Sequence, residues 1–167
     1  MALRRIGVAM RIVCAGEPFP DRAPNSLFLA GPTPRSADVR SWRPEALLRL
    51  VKMRFDGFVF VPEDRSERRR EEYDGQVDWE WAGFELATCI CFWVPRELVT
   101  MPAFTTNVEF GLWARSGKVV LGVPPGAPKT KYLLYTAGRL GVPAYTTLVD
   151  TLEAAVKMCA ARTPDIQ

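Results

Sequence analysis

Histidine is absent from all 167 residues. That absence removes Ser-His-Asp and Cys-His catalysis, histidine-liganded zinc and histidine proton shuttling together. An enzyme built on this chain takes its proton chemistry from Asp, Glu, Lys, Tyr or Cys. Cysteine is scarce as well. Cys14, Cys89, Cys91 and Cys159 contain no C-x-x-C pair, so neither a zinc knuckle nor a thioredoxin-type site is indicated, and no metal or cofactor is implied. Cys89 and Cys91 sit in the apolar run Cys-Ile-Cys-Phe-Trp-Val and read as small buried hydrophobes. The set fits a reducing cytoplasm better than a secreted scaffold. Net charge is small: 22 basic against 19 acidic residues leave +3, too little to argue for nucleic acid or an acidic membrane surface. No apolar stretch approaches the length that spans a bilayer. The basic N-terminus has only five uncharged residues, Ile6 to Met10, before Arg11, too few for the core of a signal peptide.

What is present is the balance of a globular domain, 48% hydrophobic and 25% charged. The length suits one domain with a core that needs no disulfide or metal staple. Two composition breaks stand out. Glu17 to Asn25 holds Pro18, Pro20 and Pro24 and reads as a linker; Ile6 to Val13 ahead of it is an extra edge strand or an arm. Asp64 to Asp74 carries nine charges, mostly Arg and Glu, and reads as a solvated loop or a flap over a site.

Between these breaks strands and helices alternate. Short apolar runs at Ser26–Ala30, Gly57–Val61, Cys89–Val94 and Lys118–Val123 end in Pro or Gly and predict strands, with a fifth at Ala144–Thr146. Helices are predicted at Pro44–Arg54, with Leu47, Leu48, Val51 and Phe55 on one face, and at Val77–Thr88, with Val77, Trp81, Phe84 and Ala87 inward. Others follow at Asn107–Arg115, at Tyr132–Leu140 closed by Gly141, and at Val149–Ala161. Apolar strands separated by helices argue for a five-stranded, doubly wound parallel sheet with helices on both faces. Ligands then belong at the carboxyl ends of the strands, in the loops after Ala30, Val61, Val94 and Val123.

Three groups of residues in those loops could carry chemistry. Gly31-Pro32-Thr33-Pro34-Arg35 is either a stiff structural turn or a cradle in which Arg35 meets a phosphate or carboxylate. Thr105, Thr106 and Asn107 open a helix, and Thr106 with Glu109 fits a capping box, which places Glu109 in the first turn and beside the ligand crevice. The same helix start and Arg35 form a possible 5′-phosphate clamp, unless the threonines only cap and Arg35 faces solvent. Asp78 and Glu80 lie near the start of their helix between Trp79 and Trp81. They are solvated acids, or one of them pairs with Glu109 across the crevice. Two carboxylates, a nucleophile and an acid, are the minimum for retaining glycosyl transfer. Trp79, Trp81 and Trp93 supply rings for a base or for the core.

These residues carry a resemblance. Leu29-Ala30-Gly31-Pro32, Trp79-Glu80, Phe92-Trp93-Val94-Pro95-Arg96, Thr106-Asn107-Val108-Glu109-Phe110-Gly111 and Gly117-Lys118-Val119-Val120-Leu121-Gly122 occur in that order. Together they resemble the nucleoside 2-deoxyribosyltransferase family, in particular its deoxyribosyltransferase-like branch. The resemblance implies a flavodoxin-like fold over 25–162, with 1–24 as arm and linker and 163–167 as a tail. It implies N-glycosidic chemistry on a nucleoside or nucleotide, with Glu109 as nucleophile, Glu80 where the family places an acid that helps hold the nucleobase, and Thr105 and Thr106 where phosphate-using relatives place hydroxyls. In such a mechanism Glu80 or Asp78 protonates the leaving base, directly or by water. The resemblance also implies a homodimer or higher even oligomer, in keeping with the 9 Phe, 5 Trp and 4 Tyr of a small chain. Thr88 stands where the family often has Asp, and Glu97 to Phe104 offers no equivalent of the family's aspartate ahead of the nucleophile. A non-catalytic nucleotide-binding module and a glycohydrolase of NAD-type nucleotides remain the alternatives.

Overall fold

The computed structural model describes residues 9–65 and 73–163. The charged segment read as loop or flap falls largely on 66–72, outside the described residues. The strands are β1 (Arg11–Cys14), β2 (Ser26–Ala30), β3 (Phe58–Val61), β4 (Cys89–Trp93), β5 (Val119–Gly122) and β6 (Ala144–Tyr145). The helices are α1 (Arg43–Lys52), α2 (Tyr73–Leu86), α3 (Phe104–Trp113), α4 (Lys131–Leu140) and α5 (Leu148–Arg162).

All strand pairs are parallel, in the order β1-β3-β2-β4-β5-β6. The sheet therefore has six strands rather than the expected five. The extra one is β1, whose Arg11–Cys14 run alongside Phe58–Val61 and lengthen the β3 edge. Without it the order is that of a flavodoxin-like sheet. Strands β2 to β5 are buried on both faces, as their apolar composition dictates. Leu27, Leu29, Val59, Cys89, Cys91 and Val120 face α1 and α5; Phe28, Phe60, Ile90, Phe92 and Leu121 face α2, α3 and α4. The four cysteines are free and buried. Among the described residues no helix is long and apolar enough to cross a membrane.

Two helices turn a different face to the sheet than their large apolar residues suggest. In α1 the buried positions are Arg43, Ala46 and Leu50, whereas Leu48 and Val51 are exposed. Small Ala46 lets the helix close onto the sheet, and Leu50→Ala there costs about 2–5 kcal/mol. In α2 the inward residues are Trp79, Gly83 and Phe84, followed by buried Ala87, with Glu80 half-buried beside them; Trp81 lies outside. Gly83 sets this phase, since a Cβ there would meet the Phe28 ring at 2.6 Å. A large side chain is no guide to helix phase where a small one decides the approach.

The start of α3 also differs from expectation. The helix begins at Phe104, three residues before the expected Asn107, after Ala103 in the left-handed region at φ 59° and without a side-chain cap. Thr105 and Thr106 therefore lie inside the first turn and cap nothing, and no acidic residue is in that turn. Glu109 belongs to the second turn, so the capping box is absent. At the other termini Gly141 closes α4 at φ 68°, and Thr147 Oγ accepts from Asp150 N at the start of α5.

Candidate active site

After β2 the chain winds first to β3 and then back across to β4, so the sheet reverses its direction of growth between β2 and β4. The carboxyl ends of these two strands flank the crevice where such a sheet holds its ligand. Gly31 closes it from below. Its φ is +142°, and a Cβ there would stand 2.1 Å from the Trp93 carbonyl oxygen, so only glycine lets the β2 and β4 ends meet. The close approach at Gly31 is to the chain itself. Trp42 Nε1 donates to the Pro32 carbonyl at 3.1 Å and fixes the same turn.

Arg43 lies beneath this turn, 1% exposed. Its Nε donates to Leu29 O at 3.0 Å, Nη2 to Gly31 O at 2.7 Å and Nη1 to Thr33 Oγ1 at 3.0 Å. Nη1 also pairs with Glu63 Oε1 at 2.5 Å. Glu63 follows β3 and accepts from Ser41 Oγ at 2.8 Å. The end of β2 is thus tied to the end of β3 through one guanidinium.

Glu80 and Glu109 face each other above that turn, from α2 and α3, and their carboxyl groups share a hydrogen bond. Gln76 Nε2, one turn before Glu80, donates to Glu80 Oε1 at 2.7 Å and to Pro62 O at 3.3 Å. Burial raises Glu109 to about 8; the Glu80 charge and the shared hydrogen bond add to this, and Arg43 opposes it. Burial also raises Glu80, against the pull of Gln76, Arg43 and the bond to Glu109. Each carboxyl is thus held above its ordinary range, chiefly by burial, and the two titrate as one coupled pair.

The other expected site residues divide. Asp78 is exposed on the outer side of α2, away from the pair. Trp79 is buried: it stacks on Phe19 at 4.7 Å and donates from Nε1 to Glu17 O, so its ring belongs to the core. Trp93 is buried against Gly122 and belongs to the opposite core layer. Arg35 is exposed, with its guanidinium 5.6 Å from the centroid of Phe104, which places it at the start of α3. Its backbone N donates to Thr100 O. Thr105 is exposed and Thr106 buried. Asn107 Oδ1 accepts from Arg96 Nη2, while Arg96 Nη1 reaches Lys129 O, so these residues fasten the loop after β4 between α3 and α4.

Arg43, Glu63 and Gln76 are absent from the sequence-based set. Arg43 did carry a signal. A cation at the first position of a helix opposes the helix dipole and needs a tertiary reason.

The family model for "nucleoside 2-deoxyribosyltransferase like" matches residues 24–127, more than half of the chain. The chain belongs to that family, which supports a role related to nucleoside glycosyl transfer. No curated protein matches it.

Proposed function

We propose that the protein cleaves the N-glycosidic bond of a nucleoside or nucleotide through a covalent glutamyl-sugar intermediate, passing the sugar to a second base or to water. The observation that supports this reading is that Glu80 and Glu109 interact at the switch-point crevice, each carboxyl raised by burial. A nucleophile must be ionised while its partner acid is protonated, and one proton between two carboxyls meets both needs. As the sugar enters, the proton passes along the shared bond to Glu80. Glu109 then attacks the anomeric carbon; the carbon–nitrogen bond breaks, and Glu80 protonates the departing base directly or through water. A second base or water attacks the same carbon, expels Glu109 and returns its proton to Glu80. In retaining glycoside hydrolases the two carboxyls stand about 5 Å apart with the sugar between them. Here Glu80 and Glu109 interact with each other, and substrate entry separates them.

The start of α3 is an anion site built from fewer groups than the helix end as a whole. Arg35 lies near that helix end, and Thr105 offers an exposed hydroxyl beside it. A 5′-phosphate is held there, with the sugar spanning to Glu109. The assembly is a homo-oligomer. Phe104, Val108 and Leu112 form an exposed apolar stripe along α3, in the layer that also exposes Trp81, Tyr132 and Tyr135. Contiguous apolar surface of this kind on a small domain calls for a partner, and a second copy of the chain is the occupant proposed. The four buried thiols suit a reducing compartment such as the cytoplasm.

The test is release of free base from a panel of nucleosides, their 5′-monophosphates and NAD. Release from a nucleoside or monophosphate supports the reading. Release from NAD alone assigns the site to a nucleotide glycohydrolase, and binding without release assigns it to a sensor.

A further inference from the structure

Beneath the carboxyl pair the side chains form one connected network. Arg43 pairs with Glu63 at 2.5 Å. Pro62, the residue before Glu63, offers its carbonyl to Gln76, and Gln76 donates to Glu80, which shares its bond with Glu109. The ionisable groups of this network are Arg43 on α1, Glu63 after β3, Glu80 on α2 and Glu109 on α3. Glu63 pairs directly with Arg43, and its neighbour Pro62 leads through Gln76 to Glu80. We infer that Arg43 is a positioning residue: it fixes the loop that follows β2 and, balanced by Glu63, sets the electrostatic field at the Glu80–Glu109 pair.

Anchoring a turn does not by itself call for this residue. Carbonyls such as those of Leu29 and Gly31 can be satisfied by a neutral donor, whereas a buried guanidinium costs several kcal/mol of desolvation. Its place at the first position of α1 adds an unfavourable helix-dipole term. What a neutral donor cannot supply is the charge. With the charge deleted, a pair beside Glu63 binds its protons more tightly, and its upper midpoint rises. With Glu63 deleted, the pull of Arg43 on the pair is unopposed and the last proton leaves at lower pH. Deleting the two ion-pair partners therefore moves the pair in opposite directions, which a purely structural role does not do.

The inference builds on the proposed function only in giving the pair a purpose; its test needs no substrate. Protein labelled with carbon-13 at the glutamate carboxyls is titrated by NMR as wild type, Arg43→Gln, Arg43→Lys and Glu63→Gln. The upper midpoint of the pair is expected to rise by about one pH unit in Arg43→Gln, to fall by about half a unit in Glu63→Gln and to stay near wild type in Arg43→Lys. An unmoved midpoint in both charge-deleting variants, or movement in the same direction, overturns the inference. Should Arg43→Gln not fold, the partly exposed Glu63→Gln decides alone, and an unmoved midpoint there is the overturning result. A chain that releases no base from any nucleoside still gives these titrations, so the two readings fail separately.

Discussion

Burying Glu109 beside a second carboxyl gives the fold a pH dependence opposite to that of most acids. The midpoint of Glu109 stands at about 8 against its ordinary 4.5. Between those values the folded chain keeps a proton that the unfolded chain has released. The contribution to stability is therefore intact below the unfolded value and is lost as pH rises through the folded one. Each pH unit in that window costs about 1.4 kcal/mol, so the loss above the folded midpoint is at most about 5 kcal/mol. Glu109 is half-buried and shares its proton, and water at the crevice brings the expected loss to about 2 kcal/mol. Glu109→Gln removes the titration while keeping the shape and a hydrogen-bonding group toward Glu80. Denaturant unfolding of both proteins between about pH 5 and about pH 9 measures the difference. The variant is expected to match wild type at the acid end and to exceed it by about 2 kcal/mol at the alkaline end. A stability difference that does not change with pH, or one that favours wild type as pH rises, refutes the reasoning.

Four further outcomes are expected. Glu80→Gln lowers the Glu109 midpoint by removing a like charge, and its deficit in base release shrinks as the leaving base becomes more acidic, because such a base needs less protonation; an equal deficit for all leaving groups removes the acid role. Gly31→Ala loses about 3 kcal/mol or more in denaturant unfolding, from positive φ and the clash with the Trp93 carbonyl; a near-neutral result contradicts that geometry. Arg35→Ala weakens a nucleoside 5′-monophosphate in competition binding and leaves the nucleoside unchanged; equal weakening of both, or of neither, removes the phosphate contact. Val108→Glu with Leu112→Glu reduces the molar mass in light scattering to that of one chain; an unchanged oligomer places the interface elsewhere.

The strands β2 to β5 were legible because each is a short apolar run stopped by Pro or Gly, as in Phe58–Val61 before Pro62 and Cys89–Trp93 before Val94-Pro95. Helix phase was less so. Leu48, Val51 and Trp81 looked like core residues, yet Ala46 and Gly83 decide which face approaches the sheet, because close packing there leaves room only for small side chains. Thr106 and Glu109 had the spacing of a cap, but the left-handed backbone at Ala103 starts α3 earlier and turns Glu109 toward Glu80. Within the site, Glu80 and Glu109 were visible as acids near the starts of the helices that follow β3 and β4. The contact between Arg43 and Glu63 spans twenty residues and depends on how β2 and β3 lie together. No local pattern encodes such a pair; only the misplaced charge at the start of α1 points to it.

The most direct test of the account is what Glu109 carries during turnover. Wild type and Glu109→Gln are each acid-quenched in the presence of a nucleoside from which wild type releases base. Their digests are then compared by mass spectrometry alongside the free base formed. The expected result is a sugar ester on the wild-type peptide that contains Glu109, no ester on the variant, and base release by the variant slower by about two orders of magnitude or more. Base release by Glu109→Gln at the wild-type rate contradicts the account.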